Sequence, residues 1–407
     1  MRIRYGKEQN GKLIRKAVVY TRDEHRIDFT GVDRDAVFIT SRLGANGYES
    51  YIVGGAVRDL ILGKRPKDFD IVTGATPAQI KRIFRNSRII GRRFRLVHVF
   101  FGPKIFEVST FRSLKDGHTS NTYGTIEEDV QRRDFSFNAL FYDPGKQVVV
   151  DYVNGMADIK KRILRPIIPV ELIFKDDPVR MIRAVKYAAA GGFKIPWLLQ
   201  RRIKKEAPLL KEISASRLTE ELSKIIRSPY AARIVEALED AGLYGYLQKE
   251  ASALLKTDAG FRSKYFRSLA DSSGEPGEGK ALAALIQDYL ELKTPWQELK
   301  QWEDYQAVFF DARRFLLPMN PPRLELDRSI RRIFAAHGIE LKKKALFERD
   351  RRTGEGSRRS RGKEGSPVKE QAPPAAAPAG QAGVPGQAGT RPLRRRRRQK
   401  SPAPRGL

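Results

Sequence analysis

Apolar residues recur with two different periods along this chain, and the change comes near residue 170. Upstream, short apolar or alternating runs bounded by glycine, proline and small polar residues predict strands. They cover Leu13 to Thr21, Tyr48 to Val53, Leu96 to Phe101, Ile105 to Phe111, Leu140 to Tyr142 and Val148 to Tyr152. Helical spacing interrupts them at Asp33 to Leu43, Thr76 to Asn86 and Ile126 to Arg133. Thr76 can cap the second of these helices, with Pro77 in its first turn. The third begins acidic and ends basic, the order a helix dipole favours. Ser113 to Thr125 reads as a flexible loop. Beyond Phe174 apolar residues recur at three and four, which predicts helices over Asp176 to Ala190, Pro196 to Ala207, Ser214 to Arg227 and Tyr230 to Ala241. Three more are predicted over Ala281 to Glu291, Trp296 to Phe315 and Pro322 to His337.

This order predicts an α+β protein. A polar extension of uncertain order (1–32) precedes a mixed-sheet head (33–160). An all-α neck (161–245) and an all-α body (246–350) follow. From residue 351 to 407, helix formers give way to Pro, Ala, Gly, Gln, Ser and Arg, a composition too poor in apolar area to fold. That tail is expected to be disordered.

The chain has 407 residues and a net charge of +30. Residues 351–407 hold 15 Lys/Arg and 3 Asp/Glu, so +12 of it lies there, including the run Arg394, Arg395, Arg396, Arg397 and Arg398. Such a surplus points to a polyanionic partner bound through counterion release. There is no cysteine, which excludes disulfides and thiolate metal sites and is compatible with a reducing compartment. No apolar run is long enough to span a membrane, and no apolar signal core opens the chain. A soluble, cytoplasmic monomer with no membrane association is expected.

The chemistry concentrates in one segment, Tyr51-Ile-Val-Gly-Gly-Ala-Val-Arg-Asp-Leu-Ile-Leu-Gly-Lys-Arg-Pro-Lys-Asp-Phe-Asp-Ile-Val72. It reads as strand, Gly-Gly turn, short helix and second strand. Gly54 and Gly55 let backbone N–H groups approach a phosphate. Asp68 and Asp70 stand at i and i+2, so in a strand they share a face. Two carboxylates that close repel unless a cation sits between them. Hard oxygen ligands favour Mg²⁺, with Mn²⁺ as an alternative, and Mg²⁺ also takes substrate phosphates. Arg58 follows the glycines, placed to meet triphosphate oxygens in bidentate fashion; the bland reading is an ion pair with its neighbour Asp59. A third acid could come from Glu107 or Asp134, and spacing does not choose between them. Further on, Asp177 and Arg180 are three apart in a predicted helix and share a face. They can be an ordinary ion pair. They can also offer an acceptor beside a donor, which complements adenine and cytosine and rejects uracil and guanine. Arg183, one step further round, can reach phosphate or orient Asp177.

Together these segments resemble the class II tRNA nucleotidyltransferase/poly(A) polymerase family, within the superfamily of DNA polymerase beta. The resemblance covers residues of about 33 to 245. Gly-Gly-Ala-Val-Arg-Asp through Asp68-Phe-Asp70 looks like its metal motif. Arg132-Arg-Asp-Phe-Ser-Phe-Asn-Ala139 looks like its ribose-recognition motif, which implies nucleotide contacts from Arg133 and Asn138. It also favours Asp134 as the third catalytic acid, with Glu107 in reserve. Asp176-Asp-Pro-Val-Arg180 looks like its base-selecting motif, with Asp176 where the family usually has Glu and Lys186 where it often has Arg. The head is then a nucleotidyltransferase domain, and neck and body bind RNA. Two features favour addition of AMP from ATP to RNA 3′ ends over CCA addition to tRNA. One is Ile89-Ile-Gly-Arg-Arg-Phe-Arg-Leu-Val-His-Val99, similar to a segment of bacterial polyadenylating members; the other is the basic tail. RNA-decay proteins are the partners this implies. A non-catalytic RNA-binding protein is the reading that an intact Asp68/Asp70 pair argues against.

Overall fold

Strand pairing runs β1 (Arg2–Lys7), β2 (Leu13–Tyr20), β9 (Val148–Asp151), β8 (Leu140–Asp143), β3 (Ser50–Val53), β4 (Asp70–Thr73), β7 (Lys104–Thr110), β6 (Leu96–Phe101), β5 (Ser87–Ile90) across one nine-stranded sheet. The computed structural model describes residues 2–7, 13–91, 96–113, 123–272, 279–299, 302–339 and 341. The Arg394–Arg398 run, the rest of the tail, most of the expected 113–125 loop and residues 92–95 of the Ile89–Val99 segment lie outside them.

Among the described strands only the β4/β7 pair is parallel; the others are antiparallel. A parallel pair needs a long crossover, supplied here by helix Pro77–Ile83 and the β5/β6 hairpin. That helix begins at a Thr76 capping box with Pro77 in its first turn, which supplies the orphan N–H groups with partners. β3 and β4 are buried on both faces over most of their length. On one face Tyr51, Val53 and Val72 join Phe111, Ile126, Val130 and Phe141 in the core. Period two puts Asp70 on the face of Val72, at the end where that face leaves the core.

The N-terminal segment is part of the sheet. β2 pairs with β9 through Val18↔Asp151, Val19↔Val150 and Tyr20↔Val149. β1, unmarked by any strong apolar alternation, completes a hairpin with it.

Beyond residue 172 the chain is helical, but the helix expected over Asp176 to Ala190 is two helices, Ile173–Asp176 and Val179–Gly191. Pro178 is the reason. A residue before proline is driven out of the α region, and Asp177 is extended, with φ −146° and ψ 99°. The two carboxylates Asp176 and Asp177 therefore leave the backbone in different directions. Helix Ala215–Ile226 packs on Val179–Gly191 through a buried carboxylate: Glu221 meets Arg183 Nη2 at 2.8 Å and Lys186 Nζ at 3.0 Å. Helices Ala231–Asp240, Lys249–Thr257, Ala259–Asp271, Lys280–Lys293, Trp302–Phe315 and Arg323–Ala336 continue the body. Among the described residues no helix is long and apolar enough to cross a membrane.

One close approach fixes the head's far side. Asp151 accepts from the N–H groups of Gly155 and Met156 at 3.0 Å, drawing helix Gly155–Lys161 onto the turn Ser136–Asn138. A Cβ at Gly155 would overlap the Ser136 carbonyl. Backbone cannot yield as a flexible side chain does, so Gly155→Ala is expected to destabilise by about 1–3 kcal/mol. Equilibrium urea unfolding checks this; an unchanged midpoint would refute it.

Candidate active site

The register Val53↔Asp70 sets the site. It brings the Gly54-Gly55 turn to the end of the sheet where β4 begins. Gly54 has φ 69° and ψ −129°, a conformation that only glycine adopts without strain, and helix Gly55–Ile61 starts from it. Asp68 lies exposed in the segment leading into β4. The parallel register Ile71↔Val108 sets Glu107 beside Asp70 on the next strand. Glu107 in turn faces His98 Nε2 at 3.6 Å. Asp70 is exposed at the start of β4 and lines a cavity of about 620 Å³. Desolvation by the surrounding protein, with the charges of Glu107 and, less strongly, Asp68, pushes its carboxyl up to about 6 against the pull of Arg133. The cause is the one expected of crowded carboxylates.

Asp134 is elsewhere. It is buried and its Oδ1 accepts from Phe135 N at 2.7 Å and Asn138 Nδ2 at 3.0 Å. That bond orients the Asn138 amide, leaving Oδ1 to accept from Arg58 Nη1 at 3.0 Å. The Arg58 guanidinium also donates to Asp59 from Nε at 2.9 Å and lies 5.2 Å from the centre of the Tyr187 ring. Arg58 is thus held at three points, and the plain ion pair with Asp59 exists alongside the contact to Asn138. Arg133 pairs with Asp129 at 2.9 Å, covers the Phe141 ring and lines the cavity with Asp70.

The cavity's remaining wall comes from the helical region. Asp177, Arg180 and Arg217 all line it. Asp177 and Arg180 are brought together there without pairing with each other. Arg217 Nη2 donates to Asp177 Oδ2 at 2.9 Å and Oδ1 at 3.1 Å. Arg180 is buried, with Nη1 2.8 Å from Asp176 Oδ2 and Nη2 donating to the Arg132 carbonyl at 3.0 Å. Arg183 is turned to Glu221, with Nε at 2.9 Å, and is absent from the cavity lining. Arg217 and Glu221 were not singled out from the sequence. One signal was available: Glu221 occupies the apolar stripe of Leu218, Leu222 and Ile225, where a carboxylate needs a buried cation.

The lining holds five arginines (Arg112, Arg132, Arg133, Arg180, Arg217) and five acids (Asp70, Glu107, Asp129, Asp176, Asp177). Among the described residues no three of His, Cys, Asp and Glu cluster as a metal cage. The donor set still suits Mg²⁺, which binds through one or two carboxylates and completes its shell with water and substrate phosphate. Asp70 with Asp68 is such a pair, and a cation there would offset the desolvation and the Glu107 and Asp68 charges that raise the Asp70 carboxyl.

Residues 50–165 match the family described as the poly A polymerase head domain. Residues 192–255 match the one described as "Probable RNA and SrmB- binding site of polymerase A". Both matches fit the tRNA nucleotidyltransferase/poly(A) polymerase family. Poly(A) polymerase I of Escherichia coli O157:H7 is 42% identical over 245 residues, 56% of this chain and 53% of that protein. The CCA-adding enzyme of Geobacillus stearothermophilus is 37% identical over 220 residues, 53% of this chain and 54% of that protein. The chain spans about half the length of the curated relatives it matches. Among solved structures, the Bacillus stearothermophilus CCA-adding enzyme in complex with CTP is similar at 28% identity with TM-score 0.52, covering 74% of this chain and 82% of that one.

Arg58, Asp68, Asp70, Glu107, Arg133, Asp134 and Asn138 fall in the matched head, and Arg217 and Glu221 in the second matched segment. Asp177, Arg180 and Arg183 lie between the two.

The Glu221 cluster carries a pH signature. Burial alone would push the Glu221 carboxyl up, but Lys186 and Arg183 outweigh it and hold it at about 2. Burial wins at Lys186, whose ammonium is lowered, whereas at Arg183 the attraction of Glu221 wins over burial. The net direction is a carboxylate kept ionised by Lys186 and Arg183 together. Its stabilisation is present above the ordinary carboxylate pKa of ~4.3 and is lost as pH falls towards 2. Glu221→Gln leaves two cations without their acid, at a cost of ~3 kcal/mol near pH 7. The stability gap between wild type and this variant should narrow between pH 5 and 3 in denaturant titrations. A gap independent of pH would refute the assignment.

Proposed function

We propose that the protein adds AMP from ATP to RNA 3′ ends without a template and releases pyrophosphate. One juxtaposition supports this reading: Asp70 and Glu107 open onto the same cavity as Asp177, Arg180 and Arg217. Phosphoryl-transfer chemistry asks for acids that can hold cations; nucleotide choice asks for a fixed donor–acceptor pair. Asp68 and Asp70 would hold Mg²⁺ or Mn²⁺, with Glu107 as third carboxylate. Bound there, the cation would supply charge to an attacking 3′-hydroxyl and a leaving pyrophosphate. Asp134 then acts as a positioning residue, because its carboxylate accepts from the Asn138 amide and the Phe135 N–H. Arg58 exchanges Asp59 for triphosphate oxygens. Asp177, steadied by Arg217, accepts from adenine N6–H₂. Arg180, steadied by Asp176, donates to N1. Uracil and guanine would leave both groups facing their own kind, which costs a built site heavily.

The 42% identity to a protein named poly(A) polymerase I and the +12 carried by residues 351–407 favour polyadenylation. CCA addition is the second reading, supported by the 37% identity to a CCA-adding enzyme and the similarity to one solved with CTP. The assay separates them. An unstructured RNA incubated with ATP alone should gain long tails. Extension that needs CTP, stops within three nucleotides and occurs only on tRNA would favour the second reading. Asp68→Ala should cut incorporation at least about a hundred-fold; full activity in that variant would refute the catalytic assignment altogether.

A further inference from the structure

We propose that Lys64, Arg65, Lys67 and Tyr230 form a docking site for the 3′-terminal segment of single-stranded RNA, an inference that rests on the nucleotidyl-transfer reading above. Lys64 to Lys67 belong to the segment between helix Gly55–Ile61 and β4, and Asp68 follows immediately. Pro66 is buried while Lys64, Arg65 and Lys67 are exposed. The proline anchors the segment and leaves three cations facing solvent. Among the described residues none of the three has an ion pair, whereas Arg133, Arg180 and Arg217 in the cavity each stand beside a carboxylate. Uncompensated cations beside a pair of acids are poorly explained by stability and well explained by a polyanion that must come close to those acids.

Tyr230 supplies the second observation. It belongs to the helical region, just ahead of helix Ala231–Asp240, and remains 40% exposed. Lys64 Nζ lies 5.8 Å from the centre of its ring. An accessible aromatic face beside a row of cations is the equipment of single-strand recognition: the base stacks, the phosphates follow the charges. Stacking accepts every base, because every base has a π face. That suits a site that must take RNA ends of differing sequence. Four residues of chain separate Lys64 from Asp68, at most about 14 Å when extended, so a nucleotide stacked on Tyr230 lies within the last few of a strand whose 3′-hydroxyl meets the acids. Duplex RNA, with its bases already stacked, gains nothing from Tyr230.

The test uses the full chain and a 5′-fluorescein 20-nucleotide unstructured RNA, titrated by anisotropy without nucleotide or metal. Tyr230→Ala should raise the Kd about ten-fold, leave the salt slope unchanged and leave affinity for a blunt RNA duplex unchanged. Tyr230→Phe should bind as wild type. Changing Lys64, Arg65 and Lys67 together to Ala should flatten the slope of log K against log salt by about 2, at ~0.7 per phosphate contact on a single strand. In steady state the primer KM should rise in Tyr230→Ala, with the KM for ATP at its wild-type value. An unchanged Kd for Tyr230→Ala, or equal loss on duplex and single strand, overturns the site. Should Tyr230→Ala fold poorly, the triple variant decides: an unchanged salt slope overturns the proposal. The binding readout needs no turnover. Weakened RNA binding in a protein that incorporates no nucleotide would sustain this site and sink the polymerase reading; normal incorporation with unaltered binding would do the reverse.

Discussion

A single strand register, Val53 opposite Asp70, governs the head. Because side chains alternate along a strand, a slip of one residue would carry Asp70 to the opposite face and bury a charge among the residues that now surround Ile52 and Ile71. The register is held from both sides. Tyr51, Val53 and Val72 fill the core on one face, and Ile52 and Ile71 are fully buried on the other. Slippage would therefore expose two sets of apolar side chains at once. The Gly-Gly turn, helix Gly55–Ile61 and the acid pair inherit their positions from that choice.

The helical region depends on a different currency. Its cations and acids are sorted into pairs that cross between elements: Glu221 with Arg183 and Lys186, Asp177 with Arg217, Arg180 with Asp176. A buried pair of this kind adds little net stability, but breaking it costs several kcal/mol. Its value is geometric. Arg217 fixes the orientation of Asp177, and the Glu221 cluster fixes the helix that carries Arg180 against the helix that carries Arg217. Asp177 is consequently held by a partner outside its own motif, whereas Arg180 is held by Asp176 within it and by the Arg132 carbonyl outside it.

Those partners explain what could and could not be read from sequence. Strands such as Leu96–Phe101 and the pair Leu140–Asp143 and Val148–Asp151 were legible, because alternation and Gly turns are local. The Asp68/Asp70 pair was legible for the same reason. Helix Val179–Gly191 was placed correctly in its body and wrongly at its start, since its apolar period runs smoothly through a proline that forbids a helical residue before it. β1 and β5 escaped because edge strands bury little. Arg217 lies 40 residues from Asp177, and Glu221 lies 38 from Arg183; no local pattern joins them. Spacing did not choose the third acid for a related reason: Glu107 neighbours Asp70 only through a parallel pairing, whereas Asp134, which the resemblance favoured, hydrogen-bonds Asn138 within its own motif.

The distribution of charge has a consequence for how a nucleotide would enter. The cavity lining is balanced, five arginines against five acids, although the chain carries +30. The surplus therefore lies outside the cavity, where it can draw in RNA over a distance limited by salt screening. Inside, a triphosphate meets cations that already have partners. It can bind only by exchange, phosphate oxygen for carboxylate oxygen. Such exchange releases a carboxylate and adds negative charge to a space where Asp70 is already pushed towards its neutral form. Nucleotide and divalent cation would then favour one another's binding, each relieving the charge that the other leaves uncompensated.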